Sequence, residues 1–240
     1  MKRIILYVLI VINCKTRAQL SVFDCNKLLV DYREKMKKID RPKGDQTYFM
    51  DVQYNFITAD SLMPGRNNMD VQYYMTQSLT YYKSNKADMY SDNKDFIIAT
   101  HPNHSIIWTN SIAKDTTWKN INNVGFKIKD SLLSYSRISG CSQKDDVIKV
   151  DLSFSAKYQQ KLKIRSVSYS FNKTDRMLRK VIISYMPGAK MVRSEIIYKK
   201  LDFNYSGIES KTAKAFVFDN SNRLKQIYKG YKIIDNRSKN

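Results

Sequence analysis

A two-residue rhythm of apolar and polar side chains runs through Met50-Asp51-Val52-Gln53-Tyr54-Asn55-Phe56, the centre of the segment 46–58. The same rhythm returns over residues 70–82. Successive side chains of a strand point to opposite faces, so each segment predicts a strand with one buried and one solvent-exposed face. That pattern is typical of antiparallel sheets. Between the two segments, Pro64-Gly65 and the asparagines that follow predict a turn.

Further strands are predicted on both sides of a central region with weaker periodicity. The predicted strands are 86–90, 95–99, 105–109, 148–154, 161–171, 177–186 and 191–203, with a final pair at 214–218 and 224–234. Within 161–171 the apolar phase changes near Arg165, which predicts a bulge or a sharply curved strand.

Two helices complete the expected elements. In 21–39, apolar residues recur at three- and four-residue spacing, and Pro42 with Gly44 ends the helix. A second helix is predicted over 126–138, ending at Gly140. The fold class that follows is mainly β (α+β), a single large curved antiparallel sheet with one or two helices against one face. Two packed sheets, a sandwich, are the alternative.

The N-terminus resembles a secretion signal. Lys2-Arg3 precede nine apolar residues, 4–12, and Thr16 and Ala18 are small residues at the −3 and −1 positions of a cleavage site. A membrane-spanning helix needs about 20 apolar residues, so this run is too short for one. We therefore expect a signal peptide at 1–18 and one domain at 19–240.

Two other interpretations of the N-terminus stay open. Residues 4–12 fit an ordinary buried first strand less well, because the flanking residues match a signal. Cys14 follows a degenerate lipobox, so it is a possible lipid-attachment site. The expected location is the periplasm or cell envelope of a Gram-negative-type bacterium, with a lipid anchor through Cys14 as the alternative.

Cleavage would leave Cys25 and Cys141 as the two cysteines of the mature chain. In an oxidising compartment they can form a disulfide, and two cysteines allow one connectivity. Two buried thiols that pack as small apolar groups are the alternative. Neither cysteine lies in a C-x-x-C motif, which argues against a redox site.

Several classes of activity are disfavoured. The seven glycines are isolated from one another, so no phosphate-binding loop or dinucleotide motif can form from them. His101-Pro102-Asn103-His104 reads as a hairpin turn rather than a metal site, since no carboxylate or cysteine adjoins it. We expect no enzymatic activity, no cofactor and no metal. An exposed pair of histidine and carboxylate in a cleft would reverse the first expectation.

The chain is strongly basic, with 42 Lys and Arg against 22 Asp and Glu. Removing residues 1–18 takes away four basic residues and no acidic one, which lowers the net charge from +20 to +16. The segment 157–200 contains twelve basic residues and only two acidic ones, Asp175 and Glu195. A solvated sheet face is the plainest interpretation. An anionic membrane surface or an acidic protein partner is the alternative, and export argues against nucleic acid.

Tyrosine is abundant, at 17 residues, and many tyrosines lie on the apolar side of the predicted strands. A large curved sheet with only two helices has too few side chains to fill its concave side, which leaves room for a ligand. The expected lining of this apolar pocket comes from the first two long strands. Its residues are Tyr48, Met50, Val52, Tyr54, Phe56, Val71, Tyr73, Met75 and Leu79.

Residues 79–99, with the run Leu-Thr-Tyr-Tyr-Lys-Ser-Asn-Lys-Ala-Asp-Met, and then Ser105-Ile-Ile-Trp-Thr109, resemble the periplasmic outer-membrane lipoprotein carrier family (LolA/LolB-like). Residues 162–201 resemble the same family's succession of a strand, an Asn/Asp-Lys-x-Thr turn, a strand, a hairpin and a strand. The resemblance implies a half-open β-barrel whose concave side, covered by helices, holds acyl chains. It also implies acyl chains or lipoproteins as partners.

Two functional hypotheses follow. The first is an exported lipid- or lipoprotein-binding, carrier-like protein. The second is a non-enzymatic structural or interaction module of a cell-envelope or secretion assembly with a basic docking face. An apolar cavity of several hundred Å³ would favour the carrier, and a filled interior would favour the module.

Overall fold

A computed structural model describes residues 22–39, 42–59, 66–111, 133–208 and 212–237. In this part of the chain, twelve strands form one sheet and three α-helices accompany it. The helices are α1 (Val22–Ile39), α2 (Ala156–Leu162) and α3 (Ala213–Val217), and a 3₁₀ turn spans Gln226–Tyr228. The strands are β1 (Tyr48–Thr58), β2 (Arg66–Met75), β3 (Thr80–Ser84), β4 (Ala87–Ser91), β5 (Asp95–Thr100), β6 (Ser105–Asn110), β7 (Ser136–Lys144), β8 (Val147–Phe154), β9 (Ile164–Asn172), β10 (Leu178–Tyr185), β11 (Met191–Asp202) and β12 (Lys232–Asp235).

The strand order is β12-β6-β5-β4-β3-β2-β1-β11-β10-β9-β8-β7. Neighbouring strands are antiparallel, except that β12 pairs with β6 in parallel. The edges β12 and β7 do not pair with each other, so the sheet is open. The predicted single large sheet with a helix against it is confirmed, and the sandwich alternative is wrong.

The sheet carries two hydrophobic cores on opposite faces. Where β1 meets β2, Met50 pairs with Tyr73 and both belong to the first core, whereas the next pair along, Phe49 and Tyr74, belongs to the second. The first core lies between α1 and strands β1, β2 and β7–β11. The second lies between strands β3–β6 and the C-terminal segment 212–237. The two halves of the sheet therefore bury opposite faces.

Helix α1 has the predicted extent and orientation. Cys25, Leu28, Leu29 and Tyr32 are buried in the first core, while Asp31 is exposed. This three- and four-residue spacing puts one apolar stripe against the sheet. No helix in the described ranges is long and apolar enough to cross a membrane. The predicted signal peptide and Cys14 lie outside the described residues.

The predicted strand over 70–82 is wrong as one element. β2 ends at Met75, and a turn closes when the Thr76 N–H donates to the carbonyl of Leu79 at 2.8 Å. The Thr76 hydroxyl also accepts the N–H of Leu79 at 2.9 Å. β3 then starts at Thr80. A side-chain hydrogen bond of this kind makes a threonine a good turn residue despite its strand propensity.

The predicted helix over 126–138 is confirmed only at residues 133–134, which are helical. Residues 126–132 lie outside the described ranges. The predicted end of the helix is wrong, because residues 136–138 begin β7, which pairs with β8. Gly140 lies inside β7, beside a register shift, and does not end a helix. A Cβ at this position would lie 3.2 Å from Oδ2 of Asp151, so the close approach favours glycine there.

Further differences concern short helices. The predicted strand 214–218 is helix α3 over most of its length, because the Thr212 hydroxyl caps it by accepting the N–H of Ala215 at 3.2 Å. The first residues of the predicted strand 161–171 belong to α2, which ends at Lys163 with a φ of 56°. The bulge predicted at Arg165 is confirmed, since the pairing with β10 skips that residue between Ile164 and Ser166.

Candidate functional site

A disulfide fixes α1 to the edge of the sheet. Cys25 of α1 and Cys141 of β7 are bonded, with their Cα atoms 6.3 Å apart and a sequence separation of 116. The bond holds the helix over the end of the sheet formed by β7 and β8. The helix and these two strands then line a cavity on this face.

The cavity has a volume of about 540 Å³. Small-molecule sites commonly measure about 300–1,000 Å³, so the space is large enough for a ligand. Leu29 of α1 and Leu152 of β8 are buried and form its floor. The complete lining is Asn26, Leu29, Val30, Arg33, Leu133, Ser134, Ser136, Arg137, Ile138 and Leu152.

The lining combines apolar side chains with two guanidinium groups. Arg33 comes from α1 and Arg137 from β7, so the charges approach the cavity from both walls. The Nε of Arg137 donates to the Ser153 hydroxyl at 3.3 Å. Guanidinium groups pair well with carboxylates and phosphates, while the floor offers only carbon atoms. This arrangement suits an amphiphile with an apolar tail and an anionic head.

The nine residues predicted to line a pocket lie elsewhere. Seven of them pack in or against the first core under α1, and none of the nine lines the cavity. Leu79 belongs to the second core on the opposite face, because the turn before β3 changes the side of the sheet that it faces. Met75, the last residue of β2, is half-buried. Their role in binding stays a prediction.

The first core contains buried tyrosine hydroxyl groups. Those of Tyr54 and Tyr169 have no hydrogen-bond partner among the described residues. Burial raises the pKa of both side chains far above the ordinary value. A buried polar group without a partner opposes folding, because it loses its hydrogen bonds to water.

Replacing Tyr169 with phenylalanine is therefore expected to leave the free energy of unfolding unchanged or to raise it by about 1 kcal/mol. Urea denaturation of Tyr169→Phe measures the change. Tyr48→Phe is the matched control, since the Tyr48 hydroxyl donates to Gln46 Oε1 at 3.1 Å and its loss should cost up to about 1 kcal/mol. A clear destabilisation by Tyr169→Phe would show that its hydroxyl has a partner after all.

A second, smaller cavity of about 250 Å³ lies on the solvent-exposed face of β1, β2 and β11. Glu195 is one of its lining residues. Burial acts to raise the pKa of Glu195, but hydrogen bonds from Lys180 and Arg193 outweigh burial and hold that pKa below its ordinary value. The lining is polar apart from one residue: Gln53, Asn55, Ile57, Asn68, Arg193 and Glu195.

In the second core, a cluster of polar side chains joins β4 to the C-terminal segment. Asp88 of β4 is buried, and its Oδ2 accepts a hydrogen bond from the Tyr228 hydroxyl at 2.6 Å. The Tyr228 and Tyr90 hydroxyl oxygens are 2.7 Å apart. His101 Nε2 lies 3.3 Å from Asp88 Oδ1, and its Nδ1 lies 2.9 Å from the Tyr231 hydroxyl. Burial, and after it Tyr90 and Asp88, raise the pKa of Tyr228 well above its ordinary value.

This cluster contains the histidine–carboxylate pair that would point to catalysis if it faced a cleft. Asp88 is 1% exposed, and neither of the two cavities described above is lined by His101 or Asp88. The pair instead joins the turn after β5 to the C-terminal segment through Tyr228 and Tyr231. His101 and His104 lie in a hairpin turn, as predicted, and the described residues contain no group of three or more potential metal ligands.

The residues that line the cavity were not predicted from the sequence. Val30 and Arg33 lie on the side of α1 next to its buried stripe, and Arg137 lies within a segment predicted as helix. One signal was available: the pairing of Cys25 with Cys141 places α1 beside the segment that contains Arg137. Using that signal requires knowing that this segment is the edge strand.

Comparison with known proteins finds similarity at the level of structure. No family model and no curated protein matches the chain. An uncharacterized conserved protein from Thermus thermophilus is 8% identical, with a TM-score of 0.40, over 88% of this chain and 99% of its own. The Mycobacterium tuberculosis lipoprotein LppX is 10% identical, with a TM-score of 0.42, over 73% and 95% respectively. A LolA superfamily protein from Nitrosomonas europaea is 8% identical, with a TM-score of 0.31, over 73% and 94%.

These matched structures include a member of the superfamily that the sequence resembles. With identities of 8–10% and TM-scores below 0.5, these likenesses say nothing about what the chain binds.

Proposed function

We propose that this chain is an exported, non-enzymatic carrier-like protein that holds an acyl chain of a lipid or of a lipidated protein. The observation that carries the proposal is the 540 Å³ cavity between α1 and β7, with its apolar floor and two arginines. An acyl chain gains about 0.8 kcal/mol for each CH₂ group that it buries. An anionic headgroup would lie against Arg33 or Arg137. Binding of this kind uses only protein side chains and requires no cofactor.

The test is a titration with a fluorescent fatty acid. Val30 lines the cavity and is 45% exposed, so a larger side chain there fills the cavity without disturbing the core. We expect Val30→Trp to weaken binding about tenfold or more, because the indole takes the space of several CH₂ groups. Val147→Trp is the matched control, since Val147 is 44% exposed and does not line the cavity.

The wild-type protein should bind the probe saturably, and the control variant should bind it equally well. Native mass spectrometry of freshly purified protein should show a bound lipid. A wild-type protein that neither titrates nor carries lipid would contradict the proposal. Equal affinity of the Val30→Trp and wild-type proteins would exclude this cavity as the site. The nine residues predicted from the sequence to line a pocket would then be the alternative lining.

The proposal includes the export signal. We infer a signal peptide at 1–18, a single domain at 19–240, and a periplasmic or cell-envelope location, with a lipid anchor at Cys14 as the alternative. Cleavage before Gln19 removes Cys14, whereas lipid attachment keeps it at the new N-terminus. The intact mass of the mature protein distinguishes the two outcomes.

A second function has one observation in its favour. Val52 and Val71, both predicted pocket residues, are almost completely buried, so α1 fills the part of the sheet where the sequence predicted a hollow. A filled interior favours a structural or interaction module of an envelope or secretion assembly. Under this alternative the purified protein carries no lipid, and binding to an acidic partner replaces binding to an acyl chain.

A further inference from the structure

Ten of the twelve basic residues between 157 and 200 (the basic block) fall into two groups in the structure, and Lys173 and Arg176 belong to neither. One group lies on or beside the solvent-exposed face of the sheet, and its members form ion pairs with acidic residues. Lys180 lies 3.1 Å from Glu195, Lys199 lies 2.6 Å from Asp70, and Arg179 lies 2.6 Å from Asp175. The other group lies at one end of the sheet, and we name it the basic end: Lys157, Lys161, Lys163, Arg165 and Lys190.

Three elements meet at the basic end. The carbonyl of Lys163, after α2, accepts the N–H of Met186 at 2.9 Å. The carbonyl of Lys190, in the turn between β10 and β11, accepts the N–H of Ala59 at 2.9 Å. The end of α2, the turn and the end of β1 therefore form one continuous edge.

The five side chains of the basic end are all exposed. None of them forms an ion pair with another residue in the described ranges, whereas Arg179, Lys180 and Lys199 of the first group do. Glu195, the acid nearest in sequence to this end, is already shared by Lys180 and Arg193. Asp60, which follows Ala59, lies outside the described residues. Five of the seven residues of the basic block that form no ion pair in the described ranges thus lie on one edge. The other two, Lys173 and Arg176, lie in the turn between β9 and β10 at the opposite end.

Apolar and aromatic side chains lie among these cations. Val192 is 49% exposed at a register shift of β11, where the pairing with β1 passes over it. Tyr135 is 42% exposed and stacks on Tyr158 of α2, with the ring centroids 4.1 Å apart. Lysine, tyrosine and exposed aliphatic side chains on one surface are typical of proteins that lie at a membrane–water interface.

We propose that the basic end docks on an anionic membrane surface. Each lysine or arginine near such a surface contributes about 1 kcal/mol of attraction, which is about fivefold in affinity. Tyr135 lies between Ser134 and Ser136, which line the cavity, so docking would place the cavity next to the bilayer. The proposal goes beyond the binding of an acyl chain and does not depend on it.

The experiment is co-sedimentation of the full chain with vesicles. Vesicles of phosphatidylcholine containing about one-third phosphatidylglycerol should bind the protein, and phosphatidylcholine alone should bind it far less. The triple variant Lys157→Gln, Lys161→Gln, Lys190→Gln should bind anionic vesicles about a hundredfold less tightly. Higher salt should also weaken wild-type binding, because it screens the charges.

The matched control is Lys43→Gln, Lys144→Gln, Lys173→Gln, which removes three exposed lysines at the opposite end of the sheet. It should keep most of the binding, and both variants should keep the wild-type thermal midpoint and affinity for the fatty acid. An equal loss in both variants would show a general charge effect and overturn the proposal. Lack of binding to anionic vesicles by a wild-type protein that still titrates the fatty acid would also overturn it, and would leave an acidic protein as the partner that these charges fit.

Discussion

Removing the disulfide between Cys25 and Cys141 is expected to lower the free energy of unfolding by about 4 kcal/mol. The bond spans 116 residues, so it restricts a long loop in the unfolded chain and removes much of the entropy gained on unfolding. The measurement is guanidinium denaturation of the double variant Cys25→Ala, Cys141→Ala beside the wild-type protein. Reduction of the wild-type protein with a thiol should lower its stability in the same direction.

The double variant is its own control for the reductant, which should have no effect on it. We also expect the double variant to bind the fluorescent fatty acid less tightly, because the bond holds α1 as one wall of the cavity. Equal stability of the oxidised and reduced wild-type proteins would show that the helix packs firmly without the bond. In that case the cavity would keep its shape in a reducing compartment too.

Replacing Tyr228 with phenylalanine is expected to cost about 2–3 kcal/mol of stability. The Tyr228 hydroxyl donates to Oδ2 of Asp88 at 2.6 Å, and Asp88 is 1% exposed. A hydrogen bond to a buried charged group contributes about 1.5–3 kcal/mol, and its loss leaves the carboxylate oxygen without a donor. Thermal and urea denaturation of Tyr228→Phe measure the loss. Limited proteolysis should show earlier cleavage in the C-terminal segment 212–237, because Tyr228 anchors that segment to β4.

Tyr231→Phe is the matched control. The Tyr231 hydroxyl lies 2.9 Å from Nδ1 of the half-exposed His101, so its removal should cost no more than about 1 kcal/mol. Equal effects of the two substitutions would contradict the view that Asp88 is the centre of the cluster. An unchanged stability of Tyr228→Phe would show that water replaces the missing donor.

Local pattern predicted the parts of the fold in which one side of an element is buried. The stripe from Cys25 to Tyr32 predicted α1 with its buried side, and Arg165 was recognised as a bulge from the change of apolar phase. The alternation in β1 predicted which of its side chains are buried, from Met50 to Tyr54. In each case neighbouring residues carry the signal, because helix and strand periods repeat within a few residues.

Local pattern failed where the partner of a residue is distant in sequence. Residues 214–218 alternate in a way that suggests a strand, but Ala213 and Val217 are buried together on one side of a short helix. Leu79 was grouped with Val71 and Tyr73, although the turn at Thr76 moves it to the other core. The cap of α3 is a local contact between Thr212 and Ala215. The surface that buries Ala213 and Val217, and the core that Leu79 joins, depend on residues distant in sequence.

The amino-acid order by itself determined that this chain forms a mainly β domain with α1 against an antiparallel sheet, because residues close in sequence set those periods. Only the tertiary structure decided that the sheet buries opposite faces in its two halves, and that the cavity lies between α1 and β7. It also decided which lysines keep their charge unpaired. Burial and ion pairing depend on strands brought together from more than a hundred residues apart, and no local pattern records those distances.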